Sequence, residues 1–508
     1  MKRFLALALS VVMILCALLM AGCDQNGNDS TTKKPSGTAG TTAGTTGGDN
    51  GTTGGDVGDP TEPTGYEKMP GYEDVTFGGA TFTLVGCDGE ADGFNSAKEI
   101  YSEESDAISV AVRDRNATIE DLYDCTIKGV ASATPSGDAM TEVTSNQHTI
   151  DIFTHHYTIT GMATDGKCYN LKDLGSREID FSQPWWDQKY VDSYTIKNGS
   201  GKETLYSIVG DFALTTFDCT HAIVYNKTVY ENTDEIANID IYQLVKDKKW
   251  TMDQFMFMIK EAASDSNGDS TWKSADGDVM GWIRTGHATH GLHVASGLSI
   301  FKTVNGAFTY ELDKNTESWV KAVDKGIEVW SLPQGETLSY SDIPATIAGG
   351  KALFASEILG SSLGNLKDLD CEIGLLPYPL HSETQDNYAH YVDNHVYSYS
   401  VPTSVDEIEN VGDFFAIYAY HSRYIVRPAY INTYAFEYCS DAQSADMLDI
   451  ILSTMTYDPG YLSSTLESDV SNCITNGKNN IAKIATARLN TANEWITKFM
   501  DGINDNEV

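Results

Sequence analysis

The chain has 508 residues and carries 72 Asp and Glu against 34 Lys and Arg, a formal net charge of −38. This balance excludes nucleic acid as a partner, because phosphate binding needs clustered cations, and it reads as solubility and colloidal repulsion. From Tyr66 onward roughly 440 residues remain, too many for one ordinary core and enough for two substantial lobes.

The first segment, MKRFLALALSVVMILCALLMAGCDQ, places Lys2 and Arg3 before an uncharged apolar run, Phe4 to Ala21. Small Ala21 and Gly22 stand directly before Cys23. That order resembles a bacterial lipoprotein signal, with residues 1–22 removed and Cys23 lipidated, although Met20 stands where leucine is usual. A retained spanning anchor is the alternative use of such a run, but small residues followed by cysteine at its outer end favour lipidation. The expected location is the outer face of the cell membrane, in a Gram-positive-type bacterium. Residues 23–69 form the expected tether, almost wholly Thr, Gly, Asp, Ser, Asn and Pro as far as Gly65. Such a composition buries too little apolar surface to offset ordering entropy. As a flexible coil it spans about 35–40 Å.

Beyond it the chain alternates strand-like and helix-like segments, which predicts an α/β architecture. ATFTLVG (Ala80 to Gly86) predicts a buried strand, and Ile108, Val112, Ile119 and Tyr123 recur on one helix face. CTIKGV (Cys125 to Val130) and TIDIFT (Thr149 to Thr154) predict two more strands. Capping boxes predict helix starts at Thr251 with Gln254, Ser404 with Glu407, and Ser440 with Gln443. Phe255, Met258, Ile259 and Ala262 follow the first as an apolar stripe; Met447, Leu448, Ile451, Leu452 and Met455 follow the third. Beyond Cys16 and Cys23, the cysteines at 87, 125, 168, 219, 371, 439 and 473 are widely spaced with no C-x-x-C. They read as small buried apolar residues, with one disulfide left open for an exported chain. DSNGDSTWKSAD (Asp265 to Asp276) has a calcium-loop look, but Ser270 stands at the glycine position and Asp276 where a bidentate Glu belongs. It reads as a polar turn, and no metal or cofactor is expected.

Several passages, in order, resemble the extracellular solute-binding proteins (family 1, carbohydrate type) of bacterial ABC importers. They are NATIEDLYDCTIK (Asn116 to Lys128), TIDIFTHHYTITGMATDGKCYNLKDL (Thr149 to Leu174), YSIVGDFALTTFDCTHAIVYNKTVYEN (Tyr206 to Asn232) and KWTMDQFMFMIKEA (Lys249 to Ala262). IAGGKALFASEIL (Ile347 to Leu359), CEIGLLPYPL (Cys371 to Leu380) and YSYSVPTSVDEIENVGDFFAIYA (Tyr397 to Ala419) continue it. The resemblance implies a two-lobed periplasmic-binding-protein-like (type II) α/β fold with hinge-crossing strands. By analogy the first lobe is 70–206 with 356–397, and the second is 207–355 with 398–508. The implied protein is a monomer that encloses a carbohydrate ligand between its lobes, meets ABC permease subunits in the membrane, and is no enzyme.

A sugar site needs flat aromatic faces and planar polar groups at its fringe. Trp185 and Trp186, after the Pro184 turn, are the aromatic candidates. His155 and His156, with Tyr157, follow the third strand where the resemblance puts a ligand loop. Asp211 and Phe212 follow an apparent hinge at Tyr206 to Gly210; a carboxylate there can take two hydroxyls. Trp282 and Arg284 lie with His287 in the glycine-bearing GWIRTGHATHGLH. Glu357, Asp393, Asn394 and His395 flank the later crossings. Each has a plainer reading as core, surface loop or solvated charge. A secreted glycoside hydrolase, an adhesion or scaffold protein, and a binder of a non-sugar polar solute remain open as alternatives.

Overall fold

A computed structural model describes residues 63–505 apart from 91–92, 157–159, 361–365, 367–368, 440 and 463. The signal, Cys23 and Tyr157 lie outside the described residues. The expected tether ends earlier than residue 69: Met69 is buried, and the Gly65 carbonyl accepts a 2.7 Å hydrogen bond from His421.

Nine strands make two sheets. The first holds β1 (Ala80–Cys87), β2 (Cys125–Ser132) and β3 (Ile152–His156); the second holds β4 (His221–Asn226), β5 (Met280–Arg284), β6 (Gly335–Thr337), β7 (Ala352–Ile358) and β8 (Ile373–Leu376). The ninth, β9 (Tyr397–Ser400), returns to the first sheet. The first sheet runs β9-β3-β1-β2, with β1 parallel to both neighbours and β9 antiparallel to β3. The second runs β6-β5-β7-β4-β8, with β4 antiparallel to β7 and β8. Strands β4, β5, β7 and β8 are buried along their whole length. This suits the near-continuous apolar runs of strands covered on both faces. The fold is therefore mixed α/β on two sheets, as expected.

The helices follow from their caps and stripes. In α1 (Ala107–Tyr123) the Asp106 carboxylate accepts from the Ser109 amide, and Val112, Ile119 and Tyr123 are buried on one face. Thr251 caps α2 (Met252–Ala262) at the Gln254 amide, and all four residues of the expected stripe are buried. Gly281 of β5 lets that helix lie close, since a Cβ there would stand 2.0 Å from the Ile259 carbonyl oxygen. The second sheet's far face also packs α3 (Ala288–Val294) and α4 (Thr316–Trp330). Two expected starts shift. The helix α5 (Ile408–His421) has Glu407 at its N-cap with no side-chain bond, because Ser404 lies too far upstream. A π-helical stretch, Ser422–Val426, leads to α6 (Arg427–Asn432), and α7 (Ala442–Ser453) is capped by Asp441 rather than by position 440. The last helices are α8 (Ser464–Thr475) and α9 (Ile481–Asp505).

The expected lobe boundaries need correction. β7 and β8 belong to the second sheet rather than the first lobe, while β9 belongs to the first sheet rather than the second lobe. The chain crosses between the sheets three times. In the first crossing Ile208 exchanges backbone hydrogen bonds of 3.0 and 2.9 Å with Tyr399. In the second, the Asp393 amide donates to the Cys219 carbonyl at 3.0 Å, tying two crossings together. The third runs from α6 to α7. The cysteines at 87, 125, 168, 219, 371, 439 and 473 form no disulfide among the described residues, and all are buried except half-buried Cys371. Among the described residues no helix is long and apolar enough to cross a membrane.

Candidate functional site

In open α/β sheets, ligands gather where the carboxyl ends of strands leave loops that the sheet itself holds in place. In the second sheet that edge presents His287 after β5, Tyr340 after β6, Glu357 at the end of β7 and His221 at the start of antiparallel β4. In the first sheet the matching edge presents the loop after β1, with Phe94, and His156 at the end of β3 beside Tyr397 of β9. The corner Asp393–His395, on the second crossing, joins the two edges.

Asp393 is the centre of this corner. Its carboxylate accepts from the His395 amide at 3.1 Å and contacts the His395 Nδ1. The other oxygen faces His221 Nε2 at 3.7 Å and His287 Nδ1 at 3.8 Å. Burial works to raise its pKa but is outweighed by His221 and His395, which hold the carboxyl well below the usual range. On the first-sheet side, the His395 ring stacks on Phe94 at 5.5 Å and meets the edge of His156 at 5.8 Å. His156 in turn stacks on Tyr397 at 4.6 Å. The Phe94 loop is anchored through Ser96, whose hydroxyl accepts from the Cys87 amide and bonds Thr154 at 2.7 Å.

On the second-sheet side, His287 and His290 approach edge-to-face at 5.8 Å, and His290 Nε2 lies 3.1 Å from Glu467. Tyr391 donates to the same carboxylate at 3.0 Å. Burial pushes Glu467 up to about 7. The exposed Tyr340 ring lies 6.0 Å from His287. Glu357 is 3% exposed and has no side-chain hydrogen-bond partner among the described residues; burial, only partly offset by the Ile358 backbone, pushes it up to about 8. The junction thus combines aromatic faces, imidazoles and three carboxyl groups in different states. Among the described residues no three such groups are placed to share a metal ion.

The structure brings together His156, Glu357, Asp393, exposed Asn394 and His395, and places the other candidates elsewhere. His155 lies within β3 rather than in a loop; its ring bonds Ser400 Oγ at 2.8 Å and the His156 carbonyl at 2.6 Å, and burial pushes it down to about 3. Trp186 and Phe212 are core residues, packed edge-to-face with each other and with Phe415. Trp185 is buried too, edge-on to Tyr420 at 5.3 Å, and borders two cavities of about 420 and 330 Å³. Asp211 is not a free cleft carboxylate: it pairs with Arg423 at 3.0 Å and Arg427 at 3.2 Å, although burial still pushes it up to about 6. Trp282 is fully buried and donates to Ser356 Oγ at 2.7 Å. The Arg284 guanidinium is sandwiched between Trp282 and Trp330 at 4.3 and 4.1 Å and donates to the Trp330 carbonyl.

Sequence reasoning did not place Phe94, His221, His290, Tyr340, Tyr397 or Glu467 at the site. One signal was available, because His287, His290 and His293 recur every third residue and so fall along one helix face. The Asp265 loop is a polar turn as expected, with its carboxylate accepting from the Gly268 and Ser270 amides at 2.7 and 2.8 Å.

No family model and no curated protein sequence matches the chain. Solved structures do overlay on it. A cyclo/maltodextrin-binding protein complexed with maltotetraose is 12% identical, with 83% of this chain and 96% of that chain covered at a TM-score of 0.49. A family 1 extracellular solute-binding protein from Bifidobacterium longum subsp. infantis is 13% identical, over 82% of this chain and 100% of that one, at 0.49. The galacto-N-biose-/lacto-N-biose I-binding protein of the ABC transporter from Bifidobacterium longum, in complex with lacto-N-biose, is 12% identical over 83% and 98%, also at 0.49.

Proposed function

We propose that the chain is the substrate-binding component of an ABC importer, held outside the cell by a lipid on Cys23. It takes a sugar or oligosaccharide at the junction of the two sheets and passes it unchanged to the permease, acting as a monomer. The observation that carries this reading is the Asp393–His395 corner, whose groups contact residues from both sheet edges. Stacked rings suit the C–H face of a pyranose, and a buried ionised carboxylate suits its hydroxyls. The ordered sequence resemblance points the same way.

A thermal-shift screen of the full chain against plant and mucin oligosaccharides tests it. A true ligand at 100 times its Kd stabilises by about 2.7 kcal/mol. Asp393→Asn is expected to weaken that ligand at least tenfold, as loss of a charge-assisted hydrogen bond worth about 1.5–3 kcal/mol implies. A screen in which no saccharide shifts the melting temperature sinks the reading. Glycoside hydrolysis is a second reading: Glu357, pushed up to about 8 by burial, and Asp393, held well below the usual range, would divide the roles of acid and base. Turnover of the sugar that binds would favour that reading over transport.

A further inference from the structure

Glu357 is a buried carboxyl for which the described residues supply no counter-charge. Its carboxyl is 3% exposed and has no side-chain hydrogen-bond partner among the described residues, with only the Ile358 backbone beside it. Its nearest strand neighbours offer no cation. It pairs across the sheet with Ala222, and Arg284, the one Lys or Arg on strands β4 to β8, is held between two tryptophans and bound to the Trp330 carbonyl. Asp393, by contrast, already has three imidazoles around it.

A buried carboxyl without a cation pays for its isolation by staying protonated, in keeping with its upward displacement. The exposed Tyr340 ring follows β6 at the same sheet edge where β7 ends in Glu357, so a solute resting on that ring lies at the edge that holds the carboxyl. We infer that Glu357 recognises a cationic group, so that the solute taken at this junction carries an amine, the chemistry of an unacetylated amino sugar. An ammonium supplies charge-assisted hydrogen bonds, and the Tyr340 face adds a cation–π contact. An N-acetyl group supplies no charge, and a uronate is repelled. The net charge of −38 favours cations around the chain in the same sense. The inference rests on the binding-protein reading above and deepens it.

Calorimetric titration of the full chain with the glucosamine, N-acetylglucosamine and glucose β-1,4-disaccharides tests it. The amine disaccharide is expected to bind at least tenfold more tightly than the other two. Glu357→Gln should remove that preference, bringing the amine and neutral disaccharides to within threefold of one another. Equal affinities in the wild type, or a preference that survives E357Q, overturn the inference and leave the sugar-binding reading intact. If no disaccharide binds, the sugar-binding reading falls and ethanolamine judges Glu357 alone. Thermal stabilisation of the wild type but not of E357Q would then uphold the cation site, and no stabilisation would overturn it.

Discussion

His155 shows how one side chain changes role when a strand ends two residues beyond its apolar pattern. It lies between Phe153 and the crossing strand, fully hydrogen-bonded, and it resists protonation down to about pH 3. An unfolded chain takes up that proton near pH 6.5. Between those values the unfolded state therefore binds more protons, and acid favours it. The stability of the wild type relative to His155→Gln should be independent of pH above 6.5. Below it the wild type should lose ground at up to about 1.4 kcal/mol per pH unit until about pH 3, as read by urea unfolding across pH. A pH-independent difference would show that the ring is protonated normally in the fold. Asp211 teaches the same lesson with opposite charge: its two arginines make it a brace for the crossing chain rather than a ligand contact.

The crossing segments are the elements on which the site depends. Trp185 and Gly210 illustrate their tolerance. The Asp211 amide donates to the Trp185 carbonyl at 3.0 Å, and a Cβ on Gly210 would stand 2.3 Å from that same oxygen. Backbone rather than a flexible side chain is the obstacle, so the two segments must move apart. Gly210→Ala is expected to lower stability by about 1–3 kcal/mol, the usual range for an overpacked core, measured by chemical denaturation. It should weaken ligand binding as well, because the first crossing, through the Cys219 carbonyl, positions Asp393. An unchanged denaturation midpoint would mean that this contact relaxes freely. The π-helical stretch at Ser422–Val426 supplies Arg423 to the same brace, an example of an irregular turn with a definite task.

At the scale of the molecule, two sheets meet through three crossings and one long helix. The C-terminal α9 packs along the second sheet's helices, yet its Ile503 is buried with Ala163 and Ile196, which follow β3. Hinge closure around a ligand is a motion open to two halves joined by crossing segments. Small-angle scattering should therefore show a smaller radius of gyration on saturation with the ligand found in the screen. An identical scattering profile with bound ligand would place recognition on one half alone.

Much of the fold was legible in the chain. Residues 80–87, 107–123 and 252–262 form the elements their periodicity and caps foretell, because burial of an apolar face is recorded in local spacing. The candidate site was legible only in part. Glu357, Asp393 and His395 were named from their place in the chain, but Asp211, Trp186 and Trp282 look no different in sequence and are braces or core. What separates them is which neighbours arrive from distant segments: Arg423 and Arg427 reach Asp211 from more than two hundred residues away, while Glu357 receives no cation among the described residues. Local spacing carries the hydrophobic period, which is a property of one element. Charge pairing and access to a cleft are properties of several, and only the packed chain decides them.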